Sequence, residues 1–328
     1  MEIGIGTPAK NFTVLLDTVS SLFWVDTIFT RQPHQFFANI LANSSILSSL
    51  PSPLDICRLR SSRYYGMQIT AMQYKDCITI EQATGQELIL PRAPFCLATS
   101  VIWNDREDYQ GVNGILGLSY LSLLDRNLIT KAIYDGRLNQ IITVALPKYE
   151  LMGNGILTIG AIDETLCNSE NYNPEFILPT TQKRYEFRYL MISLGNAKFS
   201  SVFRTIAYPH IRKPYIAVPH EFMQKIVQNY NAQKNETTGK YMVDCEQPFA
   251  PFKLFTARNT FVLDTKYFII EHEGGNCELA FRTRQGVGNP VVLGIPFLQQ
   301  YCTVLEPRHK RISFLPIKMN DSEDLIVM

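Results

Sequence analysis

Short runs rich in Val, Ile, Phe and Tyr, separated by Gly, Asn and Pro, recur along most of the chain, the pattern of half-buried strands joined by turns. Asn11 to Leu16 leads into the polar Asp17 and Leu22 to Val25 leaves it, which predicts strand, turn and strand. Asp76 to Ile80 and Glu87 to Leu90 flank Ala83-Thr84-Gly85-Gln86, a hairpin signal with a turn glycine that brings Cys77 towards Cys96. Helical patterning is confined to two segments. Asn127 to Asp135 has a polar start and Gly136 as its stop, and Pro219 to Tyr230 spaces Phe222, Ile226 and Tyr230 four apart. The expected fold class is all-β, with helices as accessories.

From about Cys167 to Tyr185 the chain turns polar and rich in Asn and Pro, the best place for a boundary between two halves. The expected division is an N-terminal lobe over 1–170 and a C-terminal lobe over 171–328. Each half carries a similar phrase, Gly114-Ile-Leu-Gly-Leu-Ser-Tyr-Leu121 and Val292-Leu-Gly-Ile-Pro-Phe-Leu298. Both read as an apolar strand, a glycine and a short apolar turn or helix, which suggests a duplicated β lobe.

Composition narrows the function without naming it. A chain of 328 residues, 46% hydrophobic and 19% charged, fits a globular protein of two domains. With 31 Lys plus Arg against 30 Asp plus Glu, no global field recommends nucleic acid or an anionic membrane as partner. No apolar stretch reaches the ~20 residues of a membrane-spanning helix, and no signal-peptide pattern opens the chain. The seven cysteines fit no zinc-ligand spacing, and their odd number leaves at least one thiol unpaired. Asn11, Asn43, Asn235 and Asn320 begin N-x-S/T triplets, which matter only where the chain meets the glycosylation machinery.

Several motif readings fail on context. Gly4-Ile-Gly6-Thr-Pro-Ala9 matches the dinucleotide pattern in letters, yet too little chain precedes Gly4, Pro8 interrupts, and a strand rather than a helix follows. Glu271-His272-Glu273 stands before Gly274-Gly275 and reads as a solvated turn rather than a metal cluster. No cofactor and no metal are expected.

The informative segment is Ile3-Gly-Ile-Gly-Thr-Pro8 followed by Phe12-Thr-Val-Leu-Leu-Asp17-Thr18-Val19-Ser20-Ser21-Leu22-Phe23-Trp24-Val25. It resembles the first lobe of the pepsin-like aspartic proteases, in which an apolar strand delivers Asp-Thr-Gly-Ser-Ser to the floor of a cleft. Tyr64-Tyr65-Gly66 resembles the start of that family's flap, and Asn113 to Leu118 its first-lobe Asp-Gly-Ile-Leu-Gly phrase. Gly155 to Asp163 looks like the strand closing the first lobe, Tyr241 to Cys245 with Cys277 like the second lobe's disulfide, and Leu293 to Tyr301 with Arg311 to Phe314 like its closing strands.

The resemblance covers about residues 3 to 316 and implies a two-lobed all-β fold with a cleft between the lobes. It further implies an extended peptide or protein segment as ligand, Val19, Ser20, Tyr64, Tyr65 and Gly66 as substrate-binding positions, a monomer, and a secretory compartment. Cys77 with Cys96 is a candidate second bridge, and the pairing of Cys57, Cys77, Cys96, Cys167 and Cys302 stays open.

Asp17 matches the first catalytic carboxylate. The second belongs in an Asp-Thr-Gly-Thr-Ser phrase shortly before Ile216-Ala217-Val218-Pro219, and counting back without gaps places His210 there, with Ile211, Arg212, Lys213 and Pro214 following. No Asp-Thr-Gly occurs in the second half. Val19 stands where the family has glycine, adding bulk and disfavouring positive φ. Ile295 replaces an acidic residue of the second lobe's Leu-Gly-Asp phrase. The expected function is an aspartic endopeptidase homologue that is inactive or severely impaired and keeps a peptide-binding cleft. The alternative is an active endopeptidase in which Asp17 is the base and a protonated His210, its pKa raised by a neighbouring carboxylate, is the acid.

Overall fold

Apolar residues alternate with polar ones from Ile3 to Val25, and the chain answers with strands. β1 (Glu2–Ile5) and β2 (Lys10–Asp17) form an antiparallel pair that buries Ile3, Ile5, Phe12 and Val14, and β3 (Phe23–Asp26) follows the turn after Asp17. The computed structural model describes residues 1–26, 56–59, 68–81, 87–102, 112–119, 128–146, 155–170, 172–179, 184–201, 205–272, 275–284, 286 and 289–318.

β4 (Ile56–Leu59), β5 (Gln68–Glu81), β6 (Glu87–Ile102) and β7 (Gly114–Gly117) complete a seven-stranded sheet of order β1-β2-β7-β3-β6-β5-β4. The expected hairpin is present as β5 and β6, with Ile78 opposite Leu90 and Ile80 opposite Leu88. Its register sets Cys96 opposite Gln73, and a bulge interrupts the ladder between Asp76 and Ile78. The expected Cys77–Cys96 bridge is therefore corrected: Cys77 is a free thiol, and Cys96 is disulfide-bonded elsewhere. Trp24 is core, packed with Ala71, Cys96, Ala98 and Ile115. The helix Leu128–Tyr134 falls inside the expected segment and stops at Gly136, whose φ of +74° suits a residue without Cβ.

The strands of the second unit are β8 (Ile142–Ala145), β9 (Ile156–Ile159), β10 (Glu175–Phe176), β11 (Met191–Leu194), β12 (Ala197–Ser200), β13 (Ala207–Pro209) and β14 (Ile216–Pro219). After the helix His220–Asn229 come β15 (Gln233–Lys234), β16 (Tyr241–Val243), β17 (Phe252–Phe255), β18 (Thr260–Leu263), β19 (Ile269–His272) and β20 (Asn276–Leu279). β21 (Phe281–Arg284), β22 (Val291–Leu293), β23 (Tyr301–Glu306) and β24 (Arg311–Pro316) close it. They form a five-stranded sheet, β10-β24-β23-β8-β9, and three four-stranded sheets: β12-β11-β17-β18, β13-β22-β14-β21 and β15-β16-β20-β19.

The chain divides into Met1–Arg137 and Leu138–Met328. This differs from the expected boundary after residue 170, and the reason is sheet pairing: β8 runs antiparallel to β23, and Cys167 is bonded to Cys302, so residues 138–170 belong with the C-terminal strands. The Cys245–Cys277 bridge is formed as the resemblance implied. Glu271 and His272 are also reassigned, lying on β19 rather than in a turn, with His272 Nε2 3.0 Å from Glu278 Oε2. Among the described residues no His, Cys, Asp and Glu group is arranged to hold a metal, and no helix is long and apolar enough to cross a membrane.

Candidate active site

Asp17 closes β2, where apolar Val14 is buried in the sheet and the polar end residue starts the turn to β3. The carboxylate is fully buried, and Oδ1 accepts the Val19 backbone N–H at 3.0 Å, a local turn bond that fixes the side chain over its own loop. β2 pairs in parallel with β7, with Leu16 opposite Leu116 and Asp17 opposite Gly117. β7 then lies antiparallel to β3, with Trp24 opposite Ile115. Gly117 is obligatory by packing: an added Cβ would overlap the Ser20 carbonyl and come within 2.8 Å of Leu22 N.

The second unit repeats this arrangement. β13 pairs in parallel with β22, with Pro209 opposite Leu293, and β22 lies antiparallel to β14, with Ala217 opposite Val292. In both sheets the strand on the far side, β6 for β3 and β21 for β14, runs parallel. His210 follows the Pro209–Leu293 pair as Asp17 follows Leu16–Leu116, and Gly294 follows Leu293 as Gly117 follows Leu116. Gly294 is packed in the same way. An added Cβ there would overlap the Tyr215 carbonyl and press on that of Lys213. Lys213 lies three residues after His210 and Ser20 three after Asp17, so the two turns have equal length. The Lys213 carbonyl accepts Ile295 N–H at 2.7 Å, and that of Ser20 accepts Ser119 N–H at 3.0 Å.

The imidazole even takes over the local turn bond. His210 Nδ1 lies 3.4 Å from the Arg212 backbone N–H, which donates to it as Val19 N–H donates to Asp17. Nδ1 is then an acceptor, and in the neutral ring the proton sits on Nε2. His210 is 2% exposed. Burial lowers its pKa to about 3, and the charges of Lys213, Arg212, Arg184 and Arg284 push the same way. This is opposite in sign to the raised value expected from a neighbouring carboxylate.

Val19 is half-buried and sits outside the positive-φ region, so the turn accommodates a β-branched residue without the backbone conformation that glycine would supply. Ser20 Oγ accepts the Leu22 N–H at 3.2 Å, a support that Lys213 cannot reproduce in the second turn. Tyr64, Tyr65 and Gly66 lie outside the described residues. Counting from the sequence did not reach Arg184 and Arg284, because neither is near His210 in the chain. Arg184 is buried, bonded to Glu186 at 2.6 Å, and stacked 4.2 Å from the Tyr208 ring centroid on β13, the strand that leads into His210.

A family model of eukaryotic aspartyl proteases matches residues 1–317 of the chain. Among curated proteins, aspartic protease 6 of Caenorhabditis elegans is 24% identical over 327 residues, covering 96% of this chain and 80% of that protein. Gastricsin of Oryctolagus cuniculus is 26% identical over 327 residues, covering 95% and 80%. Chymosin of Ovis aries is 24% identical over 323 residues, covering 93% and 77%.

Proposed function

Because the chain belongs to the eukaryotic aspartyl protease family, we propose that it binds an extended peptide segment and cleaves it poorly or not at all. Metal-free hydrolysis by paired carboxyl groups needs one to take a proton from water while the other gives one to the carbonyl oxygen. Asp17 supplies one such group. The observation that carries the reading is His210, whose register, turn length and local hydrogen bond match those of Asp17 while its chemistry does not. A buried imidazole with a pKa of about 3 is uncharged above that pH, and a neutral N–H is a poor proton donor. Arg212, in the place of Val19, adds a cation two residues from His210 that opposes protonation of its ring.

The test is digestion of an acid-denatured protein substrate by the folded chain and by Asp17→Asn. No Asp17-dependent turnover is expected, together with saturable binding of extended peptides by both proteins. Turnover that disappears in Asp17→Asn would overturn the reading and make Asp17 a catalytic residue.

A further inference from the structure

In the first turn the Ser20 hydroxyl accepts the Leu22 N–H. The matching positions of the second turn, counted from His210 as those are from Asp17, hold Lys213 and Tyr215, and Lys213 has no hydroxyl to accept a backbone N–H. Its ammonium lies over the Tyr215 ring instead, 5.5 Å from the centroid. A second cation reaches the same ring: Arg282 of β21 stands 5.4 Å from it. Arg282 is itself seated, donating to Glu278 Oε1 at 2.6 Å, to the Phe281 carbonyl at 2.8 Å and to the Leu279 carbonyl at 3.3 Å. Glu278 is buried and also bonded to Lys240 at 2.8 Å and His272 at 3.0 Å. The negative face of an aromatic ring attracts cations, and more strongly where side chains are half-buried, as Lys213, Tyr215 and Arg282 are. The Lys213 backbone closes the turn, its N–H donating to the His210 carbonyl at 3.1 Å and its carbonyl accepting the Ile295 N–H at 2.7 Å.

We propose that Tyr215 is a positioning residue for the His210 turn: its ring, gripped by Lys213 and Arg282, takes the place of the Ser20 hydroxyl as the turn's support and ties that turn to the Glu278 cluster on β20. The positioning stands on contacts within the second unit, and only its effect on a ligand rests on the peptide-binding reading above. A leucine, as in Leu22, would fill much of the volume and offer no face to a cation, whereas a phenylalanine keeps the face.

The experiment reads the ring-nitrogen NMR signals of His210 in the full chain labelled with nitrogen-15 histidine, identified as those missing from His210→Gln. Wild type is compared with Tyr215→Leu, Tyr215→Phe, Lys213→Met and Arg282→Met, each with a melting curve and an anisotropy titration against a fluorescein-labelled pool of extended decapeptides. Tyr215→Leu, Lys213→Met and Arg282→Met should each move the His210 signals and weaken binding of the pool about threefold, while Tyr215→Phe keeps both as in wild type. Arg282→Met is the decisive arm, because it takes away neither the ring nor a side chain of the turn. Added to Tyr215→Leu it should move the signals no further, the non-additivity of groups that act through one another. Unmoved signals in Arg282→Met, an additive shift in the double variant, or an equal shift in Tyr215→Phe would overturn the proposal. Where Tyr215→Leu fails to fold, the Arg282→Met and Tyr215→Phe arms decide it alone. Signals that move as expected while no protein binds the pool would leave the positioning standing and sink the peptide-binding reading.

Discussion

At the scale of single residues, His210 ties burial to acid behaviour. Its folded pKa of about 3 lies below the ordinary value of 6.5, so between those limits the unfolded chain takes up a proton that the folded chain refuses. The sign follows: this residue's contribution to stability is intact above pH 6.5 and declines as pH falls towards 3, at about 1.4 kcal/mol per unit once well below 6.5. Replacing His210 with Gln should flatten the stability curve over that interval, as urea titrations at pH 7, 5 and 4 would reveal. A wild-type curve no steeper than the variant's would refute the assignment. Asn235 offers a second prediction. It is exposed, it opens an N-x-T triplet, and its Oδ1 accepts the N–H groups of Thr237 and Thr238 at 3.0 and 3.1 Å. Expression through a eukaryotic secretory route should add a glycan there, seen as an endoglycosidase-sensitive mass increment absent from Asn235→Gln.

At the scale of elements, the two glycines that close the turns carry the strongest packing prediction. Gly117→Ala and Gly294→Ala each force a methyl group into a backbone carbonyl, and overpacking of this kind costs about 1–3 kcal/mol or more. Gly136→Ala, where nothing lies within 4 Å of the added methyl, should cost less, through its positive φ alone. Melting temperatures of the three variants check the order. These elements also show what sequence could and could not tell. The phrases around Gly117 and Gly294 were legible because a glycine after an apolar strand is a local signal. The β5–β6 hairpin was legible for the same reason, and its register, with Ile78 opposite Leu90 and Gln73 opposite Cys96, separates Cys77 from Cys96. His210 was reachable by counting because the two turns have equal length. Arg184 and Arg284 were not, since only tertiary folding brings distant cations to one imidazole.

At the scale of the whole chain, the compact units divide at Arg137 and Leu138 rather than in the polar segment, because polar composition marks exposed chain and not the end of a sheet. Residues 142–144 pair with 303–305 across nearly half the sequence, and no local pattern announces a pairing of that span. The disulfides act on the same scale. Cys167–Cys302 spans 135 residues and Cys245–Cys277 spans 32, so loop entropy assigns roughly 5 and roughly 4 kcal/mol to them. Removing the first pair as Cys167→Ala/Cys302→Ala should lower the denaturation midpoint more than removing the second, because Cys167 and Cys302 also fill a core with Ala145, Val304 and Leu315. Equal midpoints would contradict that ranking.

The equal length of the two turns has one more consequence. Backbone and glycine packing match between the two turns although Asp17 and His210 differ, so architecture and side-chain chemistry are separable here. Placing a carboxyl group there calls for exchanging side chains at His210 and Arg212, with no insertion, deletion or loop rebuilding. A chain altered in that way would report whether a carboxyl group at that position, together with Asp17, raises peptide hydrolysis on this scaffold.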